Sequence, residues 1–119
     1  TNVVQKAVIT HPLTQTIAVP PRGGHIPPVA LCLQCLEQGT SKRYLDKQFV
    51  RVTGRATIRN LALFLQKKLH IDDGQKVDIY CPCQSGFVYL NNSHTLKAVK
   101  DLYSNDKDIL LLNYDISSL

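Results

Sequence analysis

Phe49-Val50-Arg51-Val52-Thr53-Gly54-Arg55-Ala56-Thr57, running directly into residues 58–69, limits what this chain can fold into more than any other stretch. Residues 49–52 alternate, so Val50 and Val52 point one way and Phe49 and Arg51 the other, as in a half-buried strand. Thr57 is a good helix N-cap, because its hydroxyl can accept a bond from an otherwise unpaired N–H of the first turn. Ile58, Leu61, Ala62, Leu65 and Leu69 then recur at helical spacing and form one apolar stripe. Phe64 flanks the stripe, and Leu63 falls nearly opposite, among Asn60 and Lys67. A strand and a helix joined by a short polar turn bury their apolar surfaces most directly against each other. Much later, Ile109-Leu110-Leu111-Leu112-Asn113-Tyr114 is apolar almost without a break. That pattern suits a strand with neighbours on both sides, at the centre of the sheet.

The remaining segments fill in around this frame. Residues 29–36 predict a first core strand, with Val29, Leu31, Leu33 and Cys35 on one face. Residues 77–81 predict a third strand, 87–90 a short strand or a bulge, and 96–103 a second, short helix capped by Thr95. Asp72-Asp73-Gly74 turns the chain after the main helix. The fold class expected is α+β, a ubiquitin-like β-grasp: a mixed sheet packed on one main helix, with a second short helix. Pro20-Pro21-Arg22-Gly23-Gly24-His25-Ile26-Pro27-Pro28 interrupts regular structure, since proline removes backbone donors and glycine raises the entropy cost of ordering. Residues 1–28 therefore read as an N-terminal extension, either a β-hairpin of 3–10 with 14–19 or a flexible tail. Residues 29–116 are the folded domain and 117–119 a C-terminal tail. At 119 residues and 44% hydrophobic, the chain holds one modest core. No window approaches the roughly 20 apolar residues of a membrane span, so no membrane partner is expected.

Charge is unevenly placed. Residues 42–76 carry nine Lys or Arg against three Asp, whereas 77–119 carry three Lys against five Asp. A basic face for nucleic acid is one reading, and a solvated surface is the other. The solvated surface is preferred, because few aromatics for base stacking are interleaved with the charges. Cys32-Leu33-Gln34-Cys35 and Cys81-Pro82-Cys83 invite a four-thiolate zinc site. Zinc needs a knuckle turn at each pair, and here the first pair sits in a predicted strand where positions i and i+3 face opposite ways. Small hydrophobes in a core strand is the better reading, so no metal or cofactor is expected. His11, His25, His70 and His94 are scattered, and His70 follows the helix end, where a cation suits the dipole. Glu37 is the single Glu, and no glycine-rich loop opens a helix. No catalytic residue is assigned, and the chain is not expected to be an enzyme.

Taken in order, Val29-Ala30-Leu31-Cys32-Leu33-Gln34-Cys35, Lys47-Gln48-Phe49-Val50-Arg51-Val52, Ala56-Thr57-Ile58-Arg59-Asn60-Leu61, Val77-Asp78-Ile79-Tyr80-Cys81, His94-Thr95-Leu96-Lys97 and Ile109-Leu110-Leu111-Leu112-Asn113-Tyr114 resemble the RAWUL domain. That domain is the ubiquitin-like C-terminal module of Polycomb group RING finger proteins. The resemblance implies a non-catalytic, protein-interacting domain of a Polycomb repressive complex 1 subunit. It also implies nuclear localisation, transcriptional repression on chromatin, and a RING-type ubiquitin ligase subunit in the full-length protein. The partners it implies are BCOR-, Polyhomeotic- or AUTS-type subunits bound by strand addition, with a homodimer also open. A small basic nucleic-acid-binding domain is the alternative.

If the resemblance holds, the strand at 47–52 lies at a sheet edge, where unpaired N–H and C=O groups accept a partner strand. The expected partner-binding residues are Tyr44, Leu45, Phe49, Val50, Arg51 and Val52. Phe49 and Arg51 would point away from the core and give specificity, while Tyr44 and Leu45 would extend the apolar patch. If residues 1–19 form a hairpin, they could occupy the same edge in cis; a disordered tail is the preferred reading, and a strand added elsewhere is the third.

Overall fold

The computed structural model describes residues 15–17, 27–36, 43–103 and 108–119. Among these residues, six strands and two helices follow in the order β1 (Gln15–Ile17), β2 (Pro28–Cys35), β3 (Phe49–Thr53), α1 (Ile58–Lys68), β4 (Gln75–Cys83), β5 (Gly86–Tyr89), α2 (Leu96–Tyr103) and β6 (Ile109–Ser118). The strands form one mixed sheet in the order β1-β3-β2-β6-β4-β5. β6 lies centrally, parallel to β2 and antiparallel to β4. β2 with β3 and β4 with β5 are antiparallel pairs flanking this centre. With a helix across one face, this is the ubiquitin-like β-grasp, of the α+β class.

Alternation decides which residues face the helices. Val29, Leu31, Leu33 and Cys35 of β2, Val50 and Val52 of β3, Val77, Ile79 and Cys81 of β4, and Leu110, Leu112, Tyr114 and Ile116 of β6 join one buried cluster. Ile58, Leu61 and Leu65 of α1 and Leu96 and Val99 of α2 complete it. Burying each such aliphatic side chain contributes about 1.5–3 kcal/mol. Truncating Leu65 to Ala would cost about 2–5 kcal/mol, because the cavity could close only partly.

The two helices start against each other. The Thr57 hydroxyl accepts from the Asn60 N–H at 3.2 Å, and the Asn60 side chain accepts from the Thr57 N–H at 2.9 Å, closing a capping box. The remaining first-turn donors find carbonyls in the approach to α2: Ile58 N–H donates to His94 at 2.9 Å and Arg59 N–H to Asn92 at 3.1 Å. In return, Leu96 N–H donates to the Ala56 carbonyl at 2.8 Å, and Thr95 accepts from the Ala98 N–H at 3.1 Å. The orphan donors of both helices are thereby paired without water.

α1 ends differently. His70 has φ 54°, a left-handed conformation in which glycine is usual. His70 N–H bonds the Lys67 carbonyl at 3.3 Å and Ile71 N–H bonds the Gln66 carbonyl at 2.9 Å, the paired bonds of a Schellman end. The cation that serves this end is Arg43, whose Nη1 donates to the carbonyls of Leu69 and His70, each at 3.0 Å. Sequence proximity had pointed to His70 for that role. A guanidinium arriving from an earlier loop reaches the carbonyls instead.

Residues 3–10 lie outside the described residues, so the hairpin of 3–10 with 14–19 cannot be compared. Gln15–Ile17 is a strand, and it pairs in parallel with Val50–Val52.

Candidate docking edge

β3 is held on one side by β2, with Phe49 abreast of Cys32 and Thr53 abreast of Pro28. On its other side lies β1, with Gln15, Thr16 and Ile17 opposite Val50, Arg51 and Val52. The edge expected to receive a strand thus carries one already, supplied by the same chain. Of the six residues expected at the site, Val50 and Val52 are fully buried under the helices, so only their backbones face β1. Phe49 and Arg51 are half-buried on the opposite face, which is helix-free among the described residues.

Tyr44 and Leu45 separate. Tyr44 is 61% exposed, but Leu45 is 9% exposed and belongs to the core cluster. The Leu45 side chain therefore does not extend an outer patch, and this corrects the expectation for it. Residues 43–47 have no strand or helix, so no periodicity in the sequence assigns their inward and outward sides. Their path is set by Tyr114 of the central strand, whose hydroxyl donates to the Arg43 carbonyl. Burial pushes the Tyr114 phenol up to about 12, with Cys35 adding to the shift. This tyrosine holds the segment that leads into β3.

The helix-free face contains a second set of apolar groups that sequence reading did not single out. Phe49, Cys32 and Leu111 lie abreast on β3, β2 and β6. Asn113, Tyr80 and Tyr89 lie abreast on β6, β4 and β5. The rings of Tyr80 and Tyr89 meet edge to face, 5.6 Å apart at 67°. Phe87 and Tyr89 are about half exposed. They stand on β5, which pairs only with β4 among the described residues. The signal was present in Phe87-Val88-Tyr89, two aromatics at a period of two flanking a smaller residue. The turn before them is tight, and Gly86 adopts φ 135°, which a side chain would strain.

The cysteines do not gather. β6 separates β2 from β4, so the two pairs stand on non-adjacent strands. Cys32, Cys35 and Cys81 are buried and Cys83 is exposed. Burial raises the thiols of Cys32 and Cys81, whereas hydrogen bonding to Ser85 lowers that of Cys83. Among the described residues, no three His, Cys, Asp or Glu side chains come together to hold a metal ion. The described basic residues of 43–76 do not share one face either. Arg51 is on the sheet, Arg59 and Lys67 are exposed on α1, and Arg43, Lys47 and Lys68 surround a cleft at the far end of that helix.

Comparison with known proteins agrees with this architecture. The fold matches ATG8 of Trypanosoma brucei with a TM-score of 0.66, covering 77% of this chain and 76% of the other at 13% identity, a likeness of fold alone. No protein-family model matches the chain. Polycomb group RING finger protein 3 of human and of mouse is 32% identical over 87 residues, which is 72% of this chain and 34% of the relative. Polycomb group RING finger protein 6 of rat is 35% identical over 72 residues, covering 60% of this chain and 20% of the relative. The chain spans about a third of the length of the first of these relatives. It is a ubiquitin-like domain homologous to part of Polycomb group RING finger proteins 3 and 6.

Proposed function

We propose that this domain is a non-catalytic docking module of a Polycomb repressive complex 1 subunit, working in the nucleus in transcriptional repression. Homology to Polycomb group RING finger proteins supports the assembly. One structural observation carries the mode of docking: the β3 edge accepts a strand in parallel from outside the β-grasp unit. Among the described residues, three pairs hold β1 there, fewer than at any other strand pairing in the sheet. A partner strand that pairs along all of Phe49–Thr53 gains more main-chain bonds than β1 offers and takes its place. Val50 and Val52 contribute N–H and C=O groups, while Phe49, Arg51 and Tyr44 contribute side chains. Leu45 contributes from beneath, by fixing the segment that presents Tyr44. A corepressor of the BCOR type is the partner class to test, with Polyhomeotic- and AUTS-type subunits next.

The experiment is solution mass by light scattering. The intact chain, Phe49→Glu and a chain lacking residues 1–26 are each measured alone and with a BCOR-type ubiquitin-fold-discriminator domain. The proposal expects a complex with the intact chain, a tighter one on the truncated chain, and none on Phe49→Glu. A complex indifferent to both changes would place docking elsewhere. A concentration-dependent doubling of the chain alone would favour a homodimer.

A further inference from the structure

At the end of the sheet opposite β3, the register of β5 on β4 shows which main-chain groups face outward. Leu90 N–H donates to the Ile79 carbonyl at 2.9 Å, and these two residues stand abreast, one step beyond the antiparallel pair Tyr80 and Tyr89. In such a ladder, pairs that exchange both main-chain bonds alternate with pairs that exchange none. Val88, abreast of Cys81, therefore turns its N–H and C=O toward β4. Phe87 and Tyr89 turn theirs away, and among the described residues no main-chain group meets them. Their side chains lie on the helix-free face, abreast of Pro82 and Tyr80, and about half of each is exposed.

Length and charge limit what this edge can accept. A foreign strand gains only the 4 residues of β5, too few to reward a long partner segment. Residues 79–93 contain no Asp, Glu, Lys or Arg, so the hairpin offers no charge by which a partner of opposite sign would be selected. The whole chain carries +5, which sets copies against each other wherever charged surfaces meet, and this hairpin adds nothing to that repulsion. The strand is also matched to itself. Turned about a twofold axis through Val88, two antiparallel β5 strands set Phe87 of each copy opposite Tyr89 of the other. Both are outward residues, so each opposed pair exchanges two main-chain bonds. No other antiparallel register pairs both residues within β5. The same rotation brings Phe87 and Tyr89 together on one face, as cross-strand aromatic pairs continuous with the Tyr80–Tyr89 contact at 5.6 Å.

We infer that β5 is a self-association edge: it pairs with β5 of a second copy of this chain, antiparallel about Val88, and joins two sheets into one. Such a contact is isologous and closes at two copies. It does not rest on strand addition at β3, which uses the other edge and another partner.

The test is sedimentation velocity of the chain alone over a range of concentrations. The intact chain is expected to pass from one copy to two as concentration rises. F87D/Y89D is expected to associate about tenfold more weakly, since carboxylates would then stand in opposed pairs across the axis. Both replaced residues are exposed, so the fold is expected to survive, which circular dichroism checks. Leu63→Asp, an added charge at an exposed position of α1, is expected to associate as the intact chain does. In amide hydrogen exchange, Phe87 and Tyr89 are expected to slow as concentration rises, with Val88 slow throughout. A single copy at every concentration, association unchanged in F87D/Y89D, or association kept there and lost in Phe49→Glu would overturn the inference. Slow exchange at Phe87 and Tyr89 in the dilute single chain would show an edge covered within one chain, and would overturn it as well.

Discussion

The two edges of the sheet solve the same problem in opposite ways. At one edge β3 has both valines buried, three half-buried side chains on the helix-free face, and a neighbour, β1, from the N-terminal part of the chain. At the other, β5 has no second neighbour among the described residues and exposes Phe87 and Tyr89. Exposed aromatics alone would point to β5 as the docking edge. Backbone pairing points to β3, where a strand already binds. The difference teaches that strand addition at β3 is read from the strand that already pairs there, while apolar exposure by itself is ordinary on a folded surface. β5 is also short, a common way to keep an edge from recruiting strands.

The sharpest way to break this contrast is to place the same charge on both edges. Val50→Asp buries a carboxylate among aliphatic groups and should cost about 4–5 kcal/mol or unfold the domain outright. Phe87→Asp should change stability by less than about 0.5 kcal/mol, since the side chain is exposed. Urea denaturation of the two variants checks both. Equal effects would mean that β3 is no more integrated than β5.

A second test concerns what steadies the approach to β3. Tyr114 ionises at about 12 in the folded chain against 10 for a free phenol. Below about pH 10 both states keep the proton, so its contribution is fully present. Between pH 10 and about 12 the unfolded chain ionises first, and stability falls as pH rises. The loss specific to Tyr114 should reach about 2–3 kcal/mol by pH 12. Tyr114→Phe should flatten this part of the stability curve and cost about 1 kcal/mol at neutral pH through the lost bond to the Arg43 carbonyl. Identical alkaline profiles for the two proteins would show that the hydroxyl does not hold the segment 43–47.

Docking affinity separates the edges directly. Phe49→Glu should weaken a strand-adding partner by about 2 kcal/mol or more, roughly thirtyfold. Tyr89→Glu should leave the affinity unchanged within about twofold, as expected for a side chain outside the contact. Calorimetric titration of both variants with the same partner domain gives the comparison. The reverse ranking would move the docking site to β5.

Much of this contrast was legible in the sequence, but unevenly. Period-two alternation in 29–36 and 49–52 marked the core-facing residues of β2 and β3, and Thr57 and Thr95 marked both helix starts. These signals are local, and each reports on a few adjacent residues. The near-continuous apolar run at 109–112 identified the central strand, although Leu111 within it is exposed on the face away from the helices. The register of β1 could not be read, since three residues carry too short a pattern to choose a partner strand. The burial of Leu45 escaped for a related reason: an irregular segment has no period, and its inward side depends on Tyr114, distant in sequence. The separation of the cysteine pairs depends on β6 running between β2 and β4, and strand order is a property of the whole sheet.

The smallest effect tests whether the end of α1 is tuned for stability or for the cleft beside β3. His70 adopts φ 54°, which costs a side chain about 1 kcal/mol more than glycine. Glycine would also lose more entropy on folding, though at a left-handed position the relief of strain prevails. His70→Gly should therefore stabilise the domain by about 0.5–1 kcal/mol in thermal or urea unfolding. The Schellman bonds from residues 70 and 71 are main-chain bonds and would be retained. A gain in stability would show that a histidine stands where glycine would serve the fold better, leaving its side chain on the cleft wall as what the position supplies. A loss would show that the imidazole makes contacts worth more than the backbone strain, and that this helix end is set by packing.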